Sequence, residues 1–264
     1  MSAAFITGGS SGIGLEIARG LASKGHGLAL FARDAGRLQD VVRTLKSEFP
    51  DILITAYPTD VAQQSMLDAA VQAAIRDHGA PTWAVANAGV AEPGLFLDQP
   101  LKVFETHMSV NYMGALYFAK SVAPAMKETG GHMVFVSSGA AFFGIYGYSA
   151  YAPPKFAMRG LAEVLRVELK PHDITVTLAY PPDTDTPMLA QEEKTKPDAT
   201  KAITESGGKW SAQDVANLII RRARRGKFTV APGLQMRLLL SLHSLLAPAL
   251  RWWQGGIIRK HLAK

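Results

Sequence analysis

Thr7-Gly8-Gly9-Ser10-Ser11-Gly12-Ile13-Gly14 stands between the first apolar run of the chain and its first helical pattern. That placement restricts the fold more than any other feature of the sequence. Residues 3–7 are short and apolar, as a buried strand is. Ile13, Ile17 and Leu21, with Ala18 and Ala22, recur at helical spacing. A glycine-rich turn from strand to helix lets the backbone approach a pyrophosphate, and the helix N-terminus favours its charge. Such a turn can also be a mere tight connection. Its position before the first helix makes nucleotide binding the better reading. Gly8, Ser10, Ser11, Gly12, Ile13 and Gly14 are therefore the first candidate cofactor contacts.

The alternation continues. Strand-like runs follow at 28–32, 52–57, 82–86, 133–136, 174–179 and 227–231. Helical patterns lie between them, among them 63–77, a long one over 101–126, and 211–224. Strands alternating with helices imply parallel pairing with helices on both faces. The expected fold class is α/β, a single Rossmann-type doubly wound parallel sheet of about seven strands. A chain of 264 residues, 48% hydrophobic, can fill one such core. The domain is expected over 1–233, with a mobile lid of a few helical turns at about 181–210. A C-terminal apolar and basic helical extension over 234–264 completes the chain.

The strand ends supply further candidates. An NAD-binding fold often places a carboxylate after its second strand to hold the ribose 2′-hydroxyl. Here Ala32 is followed by Arg33, with Arg37 one turn on. Guanidinium groups grip a 2′-phosphate, so NADPH/NADP+ is expected rather than NADH, with Arg33 the firmer of the two. Asp60 either accepts from an adenine amino group, with Val61 flanking the ring, or N-caps the next helix. Asn87 and Gly89 suit a tight turn, beside the cofactor or purely structural. Asn111 sits inside the long helix, where asparagine is mildly unfavourable. It either loosens the helix and holds a water next to Lys155 or packs helices together.

The chemistry concentrates between residues 131 and 160. Ser138 follows a strand, and Tyr151 and Lys155 lie four apart near the start of a helix, sharing a face. A free tyrosine holds its proton to about pH 10. A neighbouring cation favours the phenolate and lowers that value. A phenol so tuned can protonate a ketone oxygen, and Ser138 can steady that oxygen with a hydrogen bond. Pro154 disfavours helical geometry at Pro153, which leaves the start of this helix open.

Charge and cysteine usage set limits. The chain has no cysteine, which removes disulfides and thiolate zinc sites. Its histidines are scattered, with no metal-ligand spacing. No signal peptide is expected. Net charge is +6, and residues 207–264 hold 11 Lys/Arg against one acid, Asp214. A basic tail points to an anionic surface. Between Arg237 and Arg251 no charged residue intervenes, a run too short to span a bilayer, which takes about 20 apolar residues. Trp252 and Trp253 beside Arg251 have the composition of an interfacial anchor. A membrane surface, a twin subunit and the chain's own core all remain open as its partner. Nucleic acid is not expected, because no aromatic platform interleaves the basic residues.

These residues together resemble the short-chain dehydrogenase/reductases over nearly the whole chain. Residues 7–14 look like the family's cofactor turn and Asn87-Ala88-Gly89 like its sheet-stabilising motif. Asn111, Ser138, Tyr151 and Lys155 look like its catalytic tetrad, in order and spacing. The resemblance implies that Tyr151 is the acid/base, that Ser138 positions the carbonyl and that Lys155 binds the nicotinamide ribose. It implies a proton-relay water at Asn111, and Pro181, Thr184 and Thr186 are counted with the cofactor contacts. Pro181-Pro182 departs from the family's usual Pro-Gly after the sixth strand. Residues 180–187, Tyr-Pro-Pro-Asp-Thr-Asp-Thr-Pro, are instead similar to the segment in 3-ketodihydrosphingosine reductases. That implies NADPH-dependent reduction of the C3 ketone of a long-chain sphingoid base. A steroid or 3-oxoacyl thioester reductase is the alternative, and a non-catalytic NADP-binding sensor a remote one. A homo-oligomer, dimer or tetramer, is expected, cytoplasmic and peripheral on the cytoplasmic face of a membrane.

Overall fold

The computed structural model describes residues 2–205 and 208–262. Residues 206–207 of the expected lid and the last two of the extension lie outside the described residues.

In chain order the first half holds β1 (Ala3–Thr7), α1 (Gly12–Ala22), β2 (Gly27–Ala32), α2 (Ala35–Glu48), β3 (Ile54–Pro58), α3 (Gln64–His78) and β4 (Trp83–Ala86). Then come α4 (Leu101–His107), a π turn (Met108–Met113), α5 (Gly114–Met126), β5 (Gly131–Val136), α6 (Ala152–Glu168) and β6 (Ile174–Ala179). The last part holds β7 (Thr184–Asp185), α7 (Pro187–Glu192), α8 (Asp198–Thr204), β8 (Trp210–Ser211), α9 (Ala212–Ala223), β9 (Thr229–Val230) and α10 (Gly233–Leu262).

Seven strands form one parallel sheet in the order β3-β2-β1-β4-β5-β6-β9. β7 and β8 make a separate pair. Strand side chains alternate between two layers, as the pleat requires. Phe5, Phe31 and Phe135 face Leu67, Phe118 and Met158 of α3, α5 and α6. Ile6, Leu30 and Val85 face Ile17, Leu38 and Ile219 of α1, α2 and α9. Covered on both faces, the strands are almost continuously apolar. The chain crosses from one half of the sheet to the other between β1 and β4, and at such a switch point the carboxyl strand ends leave a crevice.

Local boundaries differ from expectation for physical reasons. The last sheet strand shrinks to Thr229–Val230, since only those residues pair with β6. The long helix over 101–126 is there but contains the π turn, in which Gly114 N–H bonds Ser109 O. α6 begins at Ala152: Pro153 and Pro154 occupy its first turn, where the missing donors cost nothing. The segment expected to be a lid contains α7 and α8, and its Lys196 is buried rather than solvated. α10 is a single 30-residue helix. Gln254 staples it to the loop before α6: Nε2 donates to Gly144 O at 3.0 Å, and Oε1 accepts from Tyr146 N at 3.3 Å.

Candidate active site

The β1–α1 turn is shaped by backbone alone. Gly8 and Gly12 have φ of 67° and 54°, where a side chain is disfavoured. A Cβ on Gly14 would collide with Gly8 O and Asn87 Nδ2. Gly14 is therefore a packing position that seats α1 against the turn, and it does not line the cavity below. Asn87 Nδ2 donates to Thr7 O at 3.1 Å and to Gly8 O at 3.2 Å. Thr7 Oγ1 in turn accepts from Asn87 N and Ala88 N at 3.0 and 3.1 Å. The end of β4 is thus stitched to the turn. Ser11, the residue before α1, makes no side-chain cap, so the first helical N–H groups keep their donor capacity.

A cavity of about 860 Å³ opens over these strand ends. Ser10, Ser11, Gly12 and Ile13 of the turn, Arg33 and Arg37 after β2, and Val61, Asn87 and Gly89 line it. Pro181, Thr184 and Thr186, after β6, line it as well. Arg33 follows β2, whose last residue, Ala32, brings no carboxylate. Asp60 is not on the wall. Its Oδ1 accepts from Ala62 N at 3.0 Å, while the cap position of α3 falls to Gln63. The expected capping role of Asp60 is thus corrected: it closes a turn ahead of the helix.

Ser138, Tyr151 and Lys155 meet on the far wall. Tyr151 takes the cap position of α6, and its N–H bonds Tyr148 O at 3.1 Å. Lys155, one helical turn on, is 4% exposed, and its Nζ donates to Val136 O at 3.3 Å. Burial pulls its pKa down to about 8. Burial pushes the Tyr151 phenol up, the charge of Glu192 adds to this, and the Ser138 hydroxyl pulls the other way. The lowering expected from the neighbouring ammonium is overturned in the protein by itself, because desolvation of the half-buried phenol outweighs it. Tyr151 is held protonated.

Asn111 stands behind this wall. Its Oδ1 accepts from Val90 N at 2.8 Å and its Nδ2 donates to Val90 O at 2.9 Å. The side chain is thereby spent on the strand-end loop. Gly89 separates it from the ammonium: a Cβ there would lie 3.0 Å from Asn111 Oδ1 and 3.7 Å from Lys155 Nζ.

Other residues were missed from the sequence. His107, 1% exposed, donates Nδ1–H to Val103 O at 2.8 Å and accepts at Nε2 from Glu92 N at 3.1 Å. Burial pulls its pKa below the ordinary imidazole value, and its ring stands edge-on to Tyr151 with centroids 6.2 Å apart. Tyr148, Asp183 and Glu192 also line the cavity. Met236, Leu239, Leu246, Leu250 and Trp253, all on α10, give the same cavity an apolar wall. Their spacing was the only signal, and it reads equally well as an anchor.

The short chain dehydrogenase family model matches residues 2–197. The chain belongs to this family. A 3-dehydrosphinganine reductase of Danio rerio is 39% identical to this short-chain dehydrogenase over 254 residues, 95% of this chain and 76% of the relative. A 3-ketodihydrosphingosine reductase of Dictyostelium discoideum is 37% identical over 260 residues, 92% and 78% of the two chains. Among solved structures, a short-chain dehydrogenase from Sphingobium yanoikuyae in complex with NADPH superposes with a TM-score of 0.79. It shares 26% identity and covers 95% of both chains.

Proposed function

We propose that this short-chain dehydrogenase uses NADPH to reduce the C3 ketone of 3-ketodihydrosphingosine to the alcohol. One observation carries the reading. A single cavity joins the glycine turn and Arg33 to an apolar wall on α10, with Ser138, Tyr151 and Lys155 between them. The names of the relatives from Danio rerio and Dictyostelium discoideum support the substrate, and the NADPH complex from Sphingobium yanoikuyae supports the cofactor.

The residues present fit a phosphorylated dinucleotide: positive-φ glycines before an uncapped helix, and two arginines where a carboxylate would reject a 2′-phosphate. When bound, NADPH supplies the hydride. Tyr151 gives its proton to the ketone oxygen, and Ser138 donates a hydrogen bond to the same oxygen. As the phenol loses its proton, the Lys155 ammonium beside it favours the phenolate. Asn111 fixes the Val90 loop behind Lys155, and we assign it the relay water at the π turn. We take 1–233 as the catalytic unit and 234–264 as an extension that walls its substrate channel.

The outer face of α10 carries exposed Leu234, Leu238, Leu242, Leu245 and Trp252. With the basic residues nearby, this stripe fits peripheral attachment to an anionic membrane, on the cytoplasmic face, from which a lipid would enter. Among the described residues no helix is long and apolar enough to cross a membrane. Exposed Phe96, Leu97 and Phe156 offer an apolar face for a homo-oligomer, which size-exclusion chromatography tests.

NADPH oxidation with 3-ketodihydrosphingosine, a steroid ketone and a 3-oxoacyl thioester tests the substrate. The expected result is the highest kcat/KM on the first. Preference for either of the others overturns the assignment.

A further inference from the structure

The wall beside Tyr151 carries charge that the steps above do not use. Glu192, the last residue of α7, lines the cavity and is only 7% exposed. The Tyr148 hydroxyl donates to its Oε1, and Lys196 Nζ lies 3.1 Å from the same oxygen. Among the described residues its Oε2 takes no hydrogen bond. Lys196 is shared further, with Asp183 at 3.3 Å and Glu193 at 3.0 Å. One ammonium thus serves three carboxylates, and the cluster stays net negative. A carboxylate that lines a cavity, with one oxygen left without a donor, is a ready acceptor for a cationic group that enters it.

The cluster is coupled to the reacting group. The Tyr148 ring packs edge-on against Tyr151, with centroids 5.3 Å apart. After burial itself, the charges of Glu192 and Asp183 hold the Tyr151 phenol up. Glu192, Tyr151 and the apolar wall of α10 share one cavity.

We propose that Glu192 binds the ammonium group of an α-amino ketone and so orients the carbonyl towards Tyr151 and Ser138. The proposal rests on the reduction reading above and adds what separates that substrate from a plain ketone. An α-amino nitrogen sits two bonds from the carbonyl carbon, so holding it beside Tyr151 leaves the carbonyl little freedom. An ammonium group forms an ion pair with Oε2, which a ketone without a cationic group cannot do. The bound cation also offsets the negative field at Tyr151, easing release of its proton to the ketone.

The test compares two substrates on full-length protein with NADPH: 3-ketodihydrosphingosine and a ketone of equal chain length lacking the amine. The N-acetyl derivative, which keeps the bulk and loses the charge, is a third. Wild type is expected to favour the amine by at least about tenfold in kcat/KM over both neutral ketones, the effect of one charge-assisted bond. Glu192→Gln brings that ratio to about one through a raised KM, and Glu192→Asp restores part of it. Equal treatment of the amine and the neutral ketones by wild type overturns the proposal without any variant, even if Glu192→Gln does not fold. Full retention of the preference in Glu192→Gln overturns it as well. Inactivity of wild type on all three ketones would instead sink the proposed function, and this inference with it.

Discussion

Lys155 Nζ lies 5.6 Å from the centroid of the Tyr151 ring and donates to Val136 O at 3.3 Å. The pair is therefore anchored to the end of β5, next to Ser138. Removing the phenol oxygen leaves that anchoring intact. Tyr151→Phe is expected to lose about 10²–10⁴-fold in kcat, as proton transfer is lost, with NADPH affinity retained. Steady-state rates beside a fluorescence titration of NADPH check this. A variant that turns over normally removes Tyr151 from the chemistry.

The buried ammonium has a stability signature. The folded pKa of Lys155 is about 8 against the ordinary 10.5. Between those values the unfolded chain binds more protons than the folded one, so stability gains from rising pH. Lys155→Met lacks this dependence. It is expected to be more stable than wild type at neutral pH by up to roughly 3 kcal/mol, since each tenfold loss of proton affinity costs about 1.4 kcal/mol, and to lose activity. The gap narrows as pH climbs from 8 towards 10.5. Melts of both proteins across that window decide it, and a gap that does not change with pH refutes the account.

Arg33 and Arg37 line the end of the cavity beyond β2. If they hold a 2′-phosphate, Arg33→Ala raises KM for NADPH about 10–100-fold, the worth of charge-assisted hydrogen bonds, and barely moves KM for NADH. Equal losses with both cofactors would mean that Arg33 only shapes the strand end.

Two glycines give opposite outcomes. Gly14→Ala forces a methyl into Gly8 O and Asn87 Nδ2, which cannot yield without moving the turn. A loss of about 1–3 kcal/mol and weakened NADPH binding are expected. Gly160, inside α6, has nothing within 4 Å of an added Cβ. Gly160→Ala is expected to stabilise by about 0.5–1 kcal/mol through helix propensity alone. Chemical denaturation of both variants makes the comparison.

The inner face of α10 walls the cavity, so truncation would confound membrane binding with loss of the channel. Substitutions on the outer face avoid this. Leu238→Gln with Leu245→Gln and Trp252→Gln is expected to reduce sedimentation with anionic vesicles about tenfold or more, since each exchange removes roughly 1–2 kcal/mol of buried apolar surface. Turnover of detergent-dispersed substrate should persist. Unchanged partitioning would return the stripe to a subunit contact.

The parts legible in the sequence were those encoded over a few residues. The glycine turn, the order of strands and helices, and the spacing of Tyr151 and Lys155 all depend on local geometry, which periodicity reports directly. Ala32-Arg33 after β2 was legible for the same reason. Three other features needed the folded chain. Asp60 closes a turn rather than capping α3, because one residue of register decides a cap. Glu192 and Lys196 read as polar lid residues, since nothing in 188–208 reveals that Tyr148, 44 positions from Glu192, will meet them. The direction of the Tyr151 shift was reversed, because the spacing to Lys155 shows a nearby charge but not how far the fold shields the phenol from water. Burial is a property of the whole packed molecule: residues of α6, α7 and α10 line one cavity around the phenol, and only their assembly sets the solvation that decides its proton.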